Sequence, residues 1–170
     1  MSDVRTETEV PARLIEAYKH AMRHVVSPVA VITYATEAGR GGMTSTAICS
    51  ATTTPPALVV CLNRNAETRD AVAAAGAFAV NFLTDEQSEI ARQFSTSAAR
   101  QDQFSVGYWS AGALGVPVLE GTNASFECRV ESIMEQGAHT IFIGAVERVE
   151  TSDGSGLLYR DGFFRRVAPE

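Results

Sequence analysis

Apolar and polar positions alternate along most of this chain, and helical periodicity is confined to short stretches. Leu14, Tyr18, Met22 and Val25 recur at helical spacing, with Pro11 suited to a first turn. They predict a helix that stops at Ser27-Pro28, because the residue before a proline disfavours the α region. Strand patterns follow at 29–34, 43–50, 57–63 and 77–83. Glu37 to Gly42, with three glycines, reads as a turn, and Thr53 to Pro56 separates the second and third strands. Asn65 is expected to cap a helix over 66–75 that ends at Gly76. Thr84 and Gln87 have capping-box spacing for a further helix reaching Phe94. The stretch 95–121 reads as loop, anchored by Tyr108, Trp109 and Pro117. Long strands at 125–134 and 140–150 join at Gln136-Gly137. After a turn at Asp153 to Gly156, residues 157–160 and 163–167 suit a hairpin around Asp161-Gly162. Strands dominate, and closing such a sheet removes its exposed edges. The expected fold is mainly β, a β-barrel of about six strands with flanking helices.

With 170 residues the chain has the length of one domain, expected over 11–170 after a flexible N-terminus at 1–10. A net charge of −6 repels nucleic acid at long range. The first twenty residues are charged and lack the apolar core of a signal peptide, so a cytoplasmic protein without a membrane anchor is expected. Cys49, Cys61 and Cys128 are odd in number and lack metal spacing; reduced, buried thiols and no metal site are expected. Cys61 has no adjacent histidine and is not a candidate nucleophile. Glu127 and Glu131 alternate along a strand and are expected on its solvent face, while His20 and His24 are expected on the surface of the first helix.

The chemistry concentrates between Gly41 and Asn63, where no charged residue occurs. Gly42 to Pro56 is dense in small and hydroxyl residues, which let a flat ligand approach the backbone and bond its polar edge. Pro55-Pro56 and the hydroxyls exclude a membrane span. The helix start at 65–68 offers N–H groups and a partial positive charge to a phosphate, but on the residues alone an ordinary capped surface helix is the commoner reading. A histidine at a strand end, such as His139, commonly faces solvent.

The order of motifs is more specific than any one of them. It runs Gly-Met-Thr-Ser-Thr-Ala from Gly42, then Ser50, Thr54-Pro-Pro56, Asn63-Arg-Asn65, Thr68, Gly76-Ala-Phe78-Ala-Val80-Asn81-Phe-Leu83, Gln87 and Phe94. Pro117, Leu119-Glu-Gly121, Phe126-Glu-Cys128, His139, Ile143-Gly144-Ala-Val146 and Leu158-Tyr159 follow. This order resembles the flavin reductase-like family of the FMN-binding split barrel, and within it the reductase components of two-component monooxygenases. The resemblance implies a homodimer with each active site near the subunit interface, and FMN or FAD bound in the groove of the second and third strands. It places Gly42, Met43, Thr44, Ser45, Thr46 and Ala47 along the flavin, with Cys61, Leu62 and Asn63 continuing that wall. It sets Thr68 at the phosphate and Phe94 near the flavin; a phosphate at the helix start would have Arg64 or Arg69 near for charge pairing. His139, the catalytic candidate, and Tyr159 fall on the nicotinamide side. The implied activity is hydride transfer from NADH or NADPH to flavin, with reduced flavin passing to a separate monooxygenase. A flavin carrier or redox sensor of the same fold, without nucleotide turnover, is the alternative.

Overall fold

The computed structural model describes residues 10–96 and 102–168. The expected residues 1–9 of the N-terminus and positions 97–101 of the loop lie outside the described residues. Among the described residues twelve strands and three helices follow in the order α1 (Ala12–His24), β1 (Ser27–Pro28), β2 (Ala30–Thr36), β3 (Gly39–Ser45), β4 (Ile48–Thr53), β5 (Pro56–Asn63), α2 (Glu67–Ala75), β6 (Ala77–Phe82), α3 (Ser88–Gln93), β7 (Trp109–Ala111), β8 (Pro117–Leu119), β9 (Ala124–Gln136), β10 (His139–Thr151), β11 (Leu158–Arg160) and β12 (Phe163–Arg165). Seven form one antiparallel sheet in the order β3-β2-β6-β9-β10-β5-β4.

The two edge strands of that sheet, β3 and β4, are consecutive in the chain and separated only by Thr46 and Ala47. A flat sheet of this order would hold its edges roughly 29 Å apart. Two linking residues reach about 11 Å. The sheet is therefore curled until its edges meet at one corner, although β3 and β4 are not neighbours in the hydrogen-bonded ladder.

Alternation sorts side chains to the two faces. Ala30 and Ile32, Leu58, Val60 and Leu62, Phe78 and Val80, Cys128 and Phe142 fill the inner face, and Val72 of α2 packs against them. Gly144 is required there, since a Cβ would strike the Phe78 ring and sit 2.9 Å from Cys128 Cβ. On the outer face, Val29 and Val31 are covered by Ile90 and Ala91 of α3, with Phe94, Leu119 and Leu157. Ala77 and Ala79 lie under Val116 and Val118.

Several expectations are corrected. Residues 39–42, read as a turn, are the first half of β3, whose glycines let Tyr34 and Phe94 lie against the backbone. The single strand expected at 43–50 is broken by the corner, where the Ser45 hydroxyl accepts the Ala47 N–H at 3.2 Å. The apolar stripe of α1 is not buried; Leu14 and Tyr18 are 57% and 64% exposed, and the helix is held through Arg23, whose guanidinium bonds Asp161 at 2.9 Å. Tyr108 is exposed rather than an anchor, whereas Trp109 is half-buried and Pro117 buried. Glu127 is 4% exposed, because the loop before β8 folds over it and donates the Ala113 and Leu114 N–H groups to its carboxylate at 3.0 and 2.7 Å. Glu131, His20 and His24 are exposed as expected.

Candidate cofactor trough

The corner at Thr46-Ala47 brings the end of β3 beside the end of β5. Cys61 donates its N–H to the Ala47 carbonyl at 2.9 Å. Gly42 to Thr46 line the two cavities beside β3 described below; Ala47, Cys61 and Leu62 line neither, and Asn63 lines a separate one. Leu62 has its side chain fully buried in the inner core. Gly42 cannot carry a side chain, since a Cβ would lie 2.5 Å from the Ile32 carbonyl.

A pocket of about 270 Å³ lies between Gly42, Met43 and Thr44 of β3, Ala66, Glu67 and Thr68 at the start of α2, and Phe94 and Gln103. Asn65 does not cap α2. Its N–H is taken by the Asn63 side chain at 2.9 Å, and Ala66 occupies the cap position with no side-chain bond. The helix end that carries partial positive charge therefore borders the pocket uncapped by any side chain. Thr68 is buried against it. Phe94 backs the pocket at 2% exposure, in edge-on contact with Phe104 at 5.3 Å and 5.2 Å from Trp109. Gln103, which sequence reasoning missed, is buried here and donates its side-chain amide to the Gly42 carbonyl at 3.1 Å. A lone glutamine in a polar loop carries no sequence signal of this.

Past Thr44 the space opens into a cavity of about 470 Å³, where Thr44, Ser45 and Thr46 face Tyr159, Phe163 and Phe164 of the β11–β12 hairpin, with Arg92 in the lining. A groove of about 640 Å³ beneath α1 continues it and shares Thr46, Tyr159 and Gly162. Behind α2, a further cavity of about 420 Å³ is lined by Asn63, Arg64, Asn65, Arg69, Gly137 and Ala138. The first three form a trough along β3 and the corner. His139 begins β10 opposite Asn63 in register and is exposed. It lines none of these four cavities, whereas Tyr159 lines two of them.

The arginines expected to meet a phosphate are engaged elsewhere. Arg69 bonds Asp70 at 2.7 Å, the Thr140 hydroxyl at 3.0 Å and Glu135. Arg64 pairs with Glu135 at 3.0 Å and bonds the Gly137 carbonyl. The Arg69 hydrogen bond holds Glu135 below the usual carboxylate range. This network staples the β9–β10 hairpin to α2. Of the cysteines, only Cys128 is buried; desolvation pushes its thiol up to about 12, with the neighbouring Glu127 and Glu147 charges adding to the shift. Cys61 is half-buried and Cys49 exposed, contrary to expectation, because both sit on the outer face of the sheet. Among the described residues no cluster of metal ligands occurs, and no helix is long and apolar enough to cross a membrane.

A trough whose β3 wall is uncharged backbone, small residues and hydroxyls, with an uncapped helix terminus on one side and aromatic residues along the other, fits a flat heterocycle bearing a phosphate. Comparison with known proteins agrees. The flavin reductase like domain matches residues 22–168. The reductase component of 4-hydroxyphenylacetate 3-monooxygenase from Pseudomonas aeruginosa is 37% identical over 155 residues, covering 89% of this chain and 91% of that protein. FMN reductase (NADH) RutF of Stutzerimonas stutzeri is 35% identical, covering 93% of this chain and 91% of that protein. The NADH:FAD oxidoreductase SgcE6 of Streptomyces globisporus C-1027, also solved with NAD and FAD fragments, superposes with a TM-score of 0.87 at 29% identity, covering 95% of this chain and 97% of that one. The chain belongs to the flavin reductase-like family.

Proposed function

We propose that this protein is an NAD(P)H:flavin oxidoreductase that reduces FMN or FAD with NADH or NADPH and supplies the reduced flavin to a separate monooxygenase. The continuous trough from the α2 terminus to Tyr159 carries this reading, because it offers one molecule room for a phosphate end and a ring end, and a second molecule an open face. Relatives named as NADH-dependent FMN reductase and as reductase components support turnover over a carrier or sensor role. The curled sheet, whose edges meet at Thr46-Ala47 without pairing, is in this reading a split barrel forming one domain over 11–170. The protein works as a homodimer, in the cytoplasm.

The residues present fit the flavin. Thr68 and the first turn of α2 hold the phosphate. Gly42 to Thr46 line the ribityl chain and ring, and Phe94 closes the far side. When bound, flavin supplies the redox chemistry, accepting a hydride from a dihydronicotinamide. The chain's contribution is position. Thr44 is fixed to α3, so the β3 wall is preformed. Tyr159 borders the open side on which a nicotinamide ring stacks, and His139 orients the dinucleotide through its imidazole. A chain that holds two reactants in register gains most of its rate from alignment.

Steady-state oxidation of NADH and of NADPH, each with added FMN or FAD and an enzyme-free blank, tests this reading. Saturable oxidation that requires added flavin is expected. Flavin binding without oxidation of either nucleotide would favour the carrier or sensor.

A further inference from the structure

The β11–β12 hairpin stands apart from the seven-stranded sheet, in a three-stranded sheet with β1. Its base is anchored in the body of the protein. Leu157 is fully buried; its N–H donates to the Leu83 carbonyl at 2.8 Å, and its carbonyl accepts the Val29 N–H at 3.0 Å. At the tip, Asp161 takes a left-handed φ of 51° in the turn to Gly162. The N–H of that first turn residue is not used by the strand ladder. It donates instead to the Arg23 carbonyl at 2.9 Å, one of the acceptors left open at the end of α1. Arg23 returns the bond, its Nε donating to the Asp161 carboxylate at 2.9 Å. That bond holds the Asp161 carboxyl below its ordinary value, so both partners are charged at neutral pH.

The clasp joins two elements across the mouth of the trough. No residue of α1 is buried, and the helix passes through Val25-Val26 into β1, where Ser27 pairs with Tyr159. Tyr18, Met22 and Arg23 line the groove of about 640 Å³ from the helix, and Tyr159, Asp161 and Gly162 line it from the hairpin. Tyr159 and Gly162 also line the cavity of about 470 Å³ that faces Thr44 to Thr46. Tyr159 meets Phe164 edge-on at 5.8 Å, and the Arg92 guanidinium lies over Phe164 at 5.1 Å. The aromatic residue nearest both spaces is therefore braced by Phe164 on one strand and by the clasp at the tip. The Arg23 and Asp161 side chains are 66% and 48% exposed, and an ion pair so placed adds little to unfolding free energy.

We infer that Arg23 and Asp161 are positioning residues for the hydride donor: their clasp sets the hairpin, and with it Tyr159, at the spacing from β3 that admits the donor beside the flavin. The inference rests on the donor side given to Tyr159 in the proposed function and adds what holds that side in place. Charge alone predicts the opposite sign. A nicotinamide dinucleotide is an anion, so removing a carboxylate from the groove wall would tighten its binding. Loss of the clasp frees the hairpin tip and weakens it.

Steady-state oxidation of the preferred nucleotide at saturating flavin tests this in the whole protein. Asp161→Asn keeps a residue that tolerates the left-handed turn and keeps the N–H bond to Arg23. It is expected to raise KM for the nucleotide about fivefold, with kcat within about twofold of wild type and flavin affinity unchanged. Arg23→Gln is expected to do the same, and the double variant no more than either alone, because the two side chains share one contact. Arg23→Lys, which keeps a cation beside Asp161, is expected to stay near the wild-type KM. A lower or unchanged KM in Asp161→Asn, or effects that multiply in the double variant, would overturn the inference alone. A wild type that oxidises neither NADH nor NADPH would overturn the proposed function and the inference with it.

Discussion

The Thr44 hydroxyl donates to the Ala91 carbonyl at 2.7 Å, and the Thr44 N–H donates to the Phe94 carbonyl at 3.0 Å. Both donors of this residue are spent on α3 and the residue after it, so Thr44 offers a flavin its carbonyl and its shape, not a hydrogen. Thr44→Val keeps the shape and the N–H bond to Phe94 and removes the hydroxyl bond to Ala91. It should cost about 1 kcal/mol in unfolding free energy and raise the KM for flavin several-fold with kcat nearly unchanged. Thr44→Ser should behave as wild type in both assays.

Thr68 is a buried hydroxyl at the uncapped end of α2. Thr68→Val is expected to weaken FMN binding about five- to tenfold, read by quenching of flavin fluorescence, with little change in thermal midpoint. Unchanged affinity would place the phosphate elsewhere, since Arg64 and Arg69 are already committed to Glu135.

Glu135 joins the β9–β10 hairpin to α2, and its carboxyl is held below its ordinary value by the hydrogen bond from Arg69. A carboxylate whose folded value is depressed contributes stability above its unfolded value of 4.5, and that contribution is lost as pH falls through the folded value. Glu135→Gln should therefore lower the thermal midpoint at pH 7, and the gap from wild type should close below about pH 4. Melting curves of both proteins across this range check the sign.

Glu127 accepts the N–H groups of Ala113 and Leu114, and a side chain at Gly112 would run into its carboxylate. Glu127→Ala leaves two donors without their acceptor under the loop and should cost about 3 kcal/mol by urea denaturation. Glu131→Ala, on the same strand but exposed, should be nearly neutral.

What was legible in the sequence was local. Alternation and turn residues located the β9–β10 hairpin at Gln136-Gly137, the β11–β12 hairpin at Asp161-Gly162 and the end of α2 at Gly76, which adopts a left-handed φ of 68°. The misreadings share one cause: alternation says which residues lie on opposite faces, not what covers each face. Glu127 does point outward, but the Ala113-Leu114 loop lies over it. Cys49 shares an apolar pattern with Cys128, yet one is outside the curl and the other inside. The corner at Thr46-Ala47 was hidden because its signal is the meeting of two sheet edges distant in the ladder, and no residue there breaks a strand pattern. Of the candidate site, Gly42, Met43, Thr44, Thr68 and Phe94 were named through the ordered motifs, and the structure brings these five to one pocket. Gln103 and the arginine–Glu135 network depend on contacts between distant segments and left no periodic trace.

The most direct test of the central claim is anaerobic rapid mixing of the protein and excess flavin with NADH deuterated at the transferred position. The account predicts bleaching of oxidised flavin whose rate saturates in both reactants and slows with deuterated donor, as hydride passes between two molecules aligned in one trough. Absence of protein-dependent bleaching with either NADH or NADPH would contradict it.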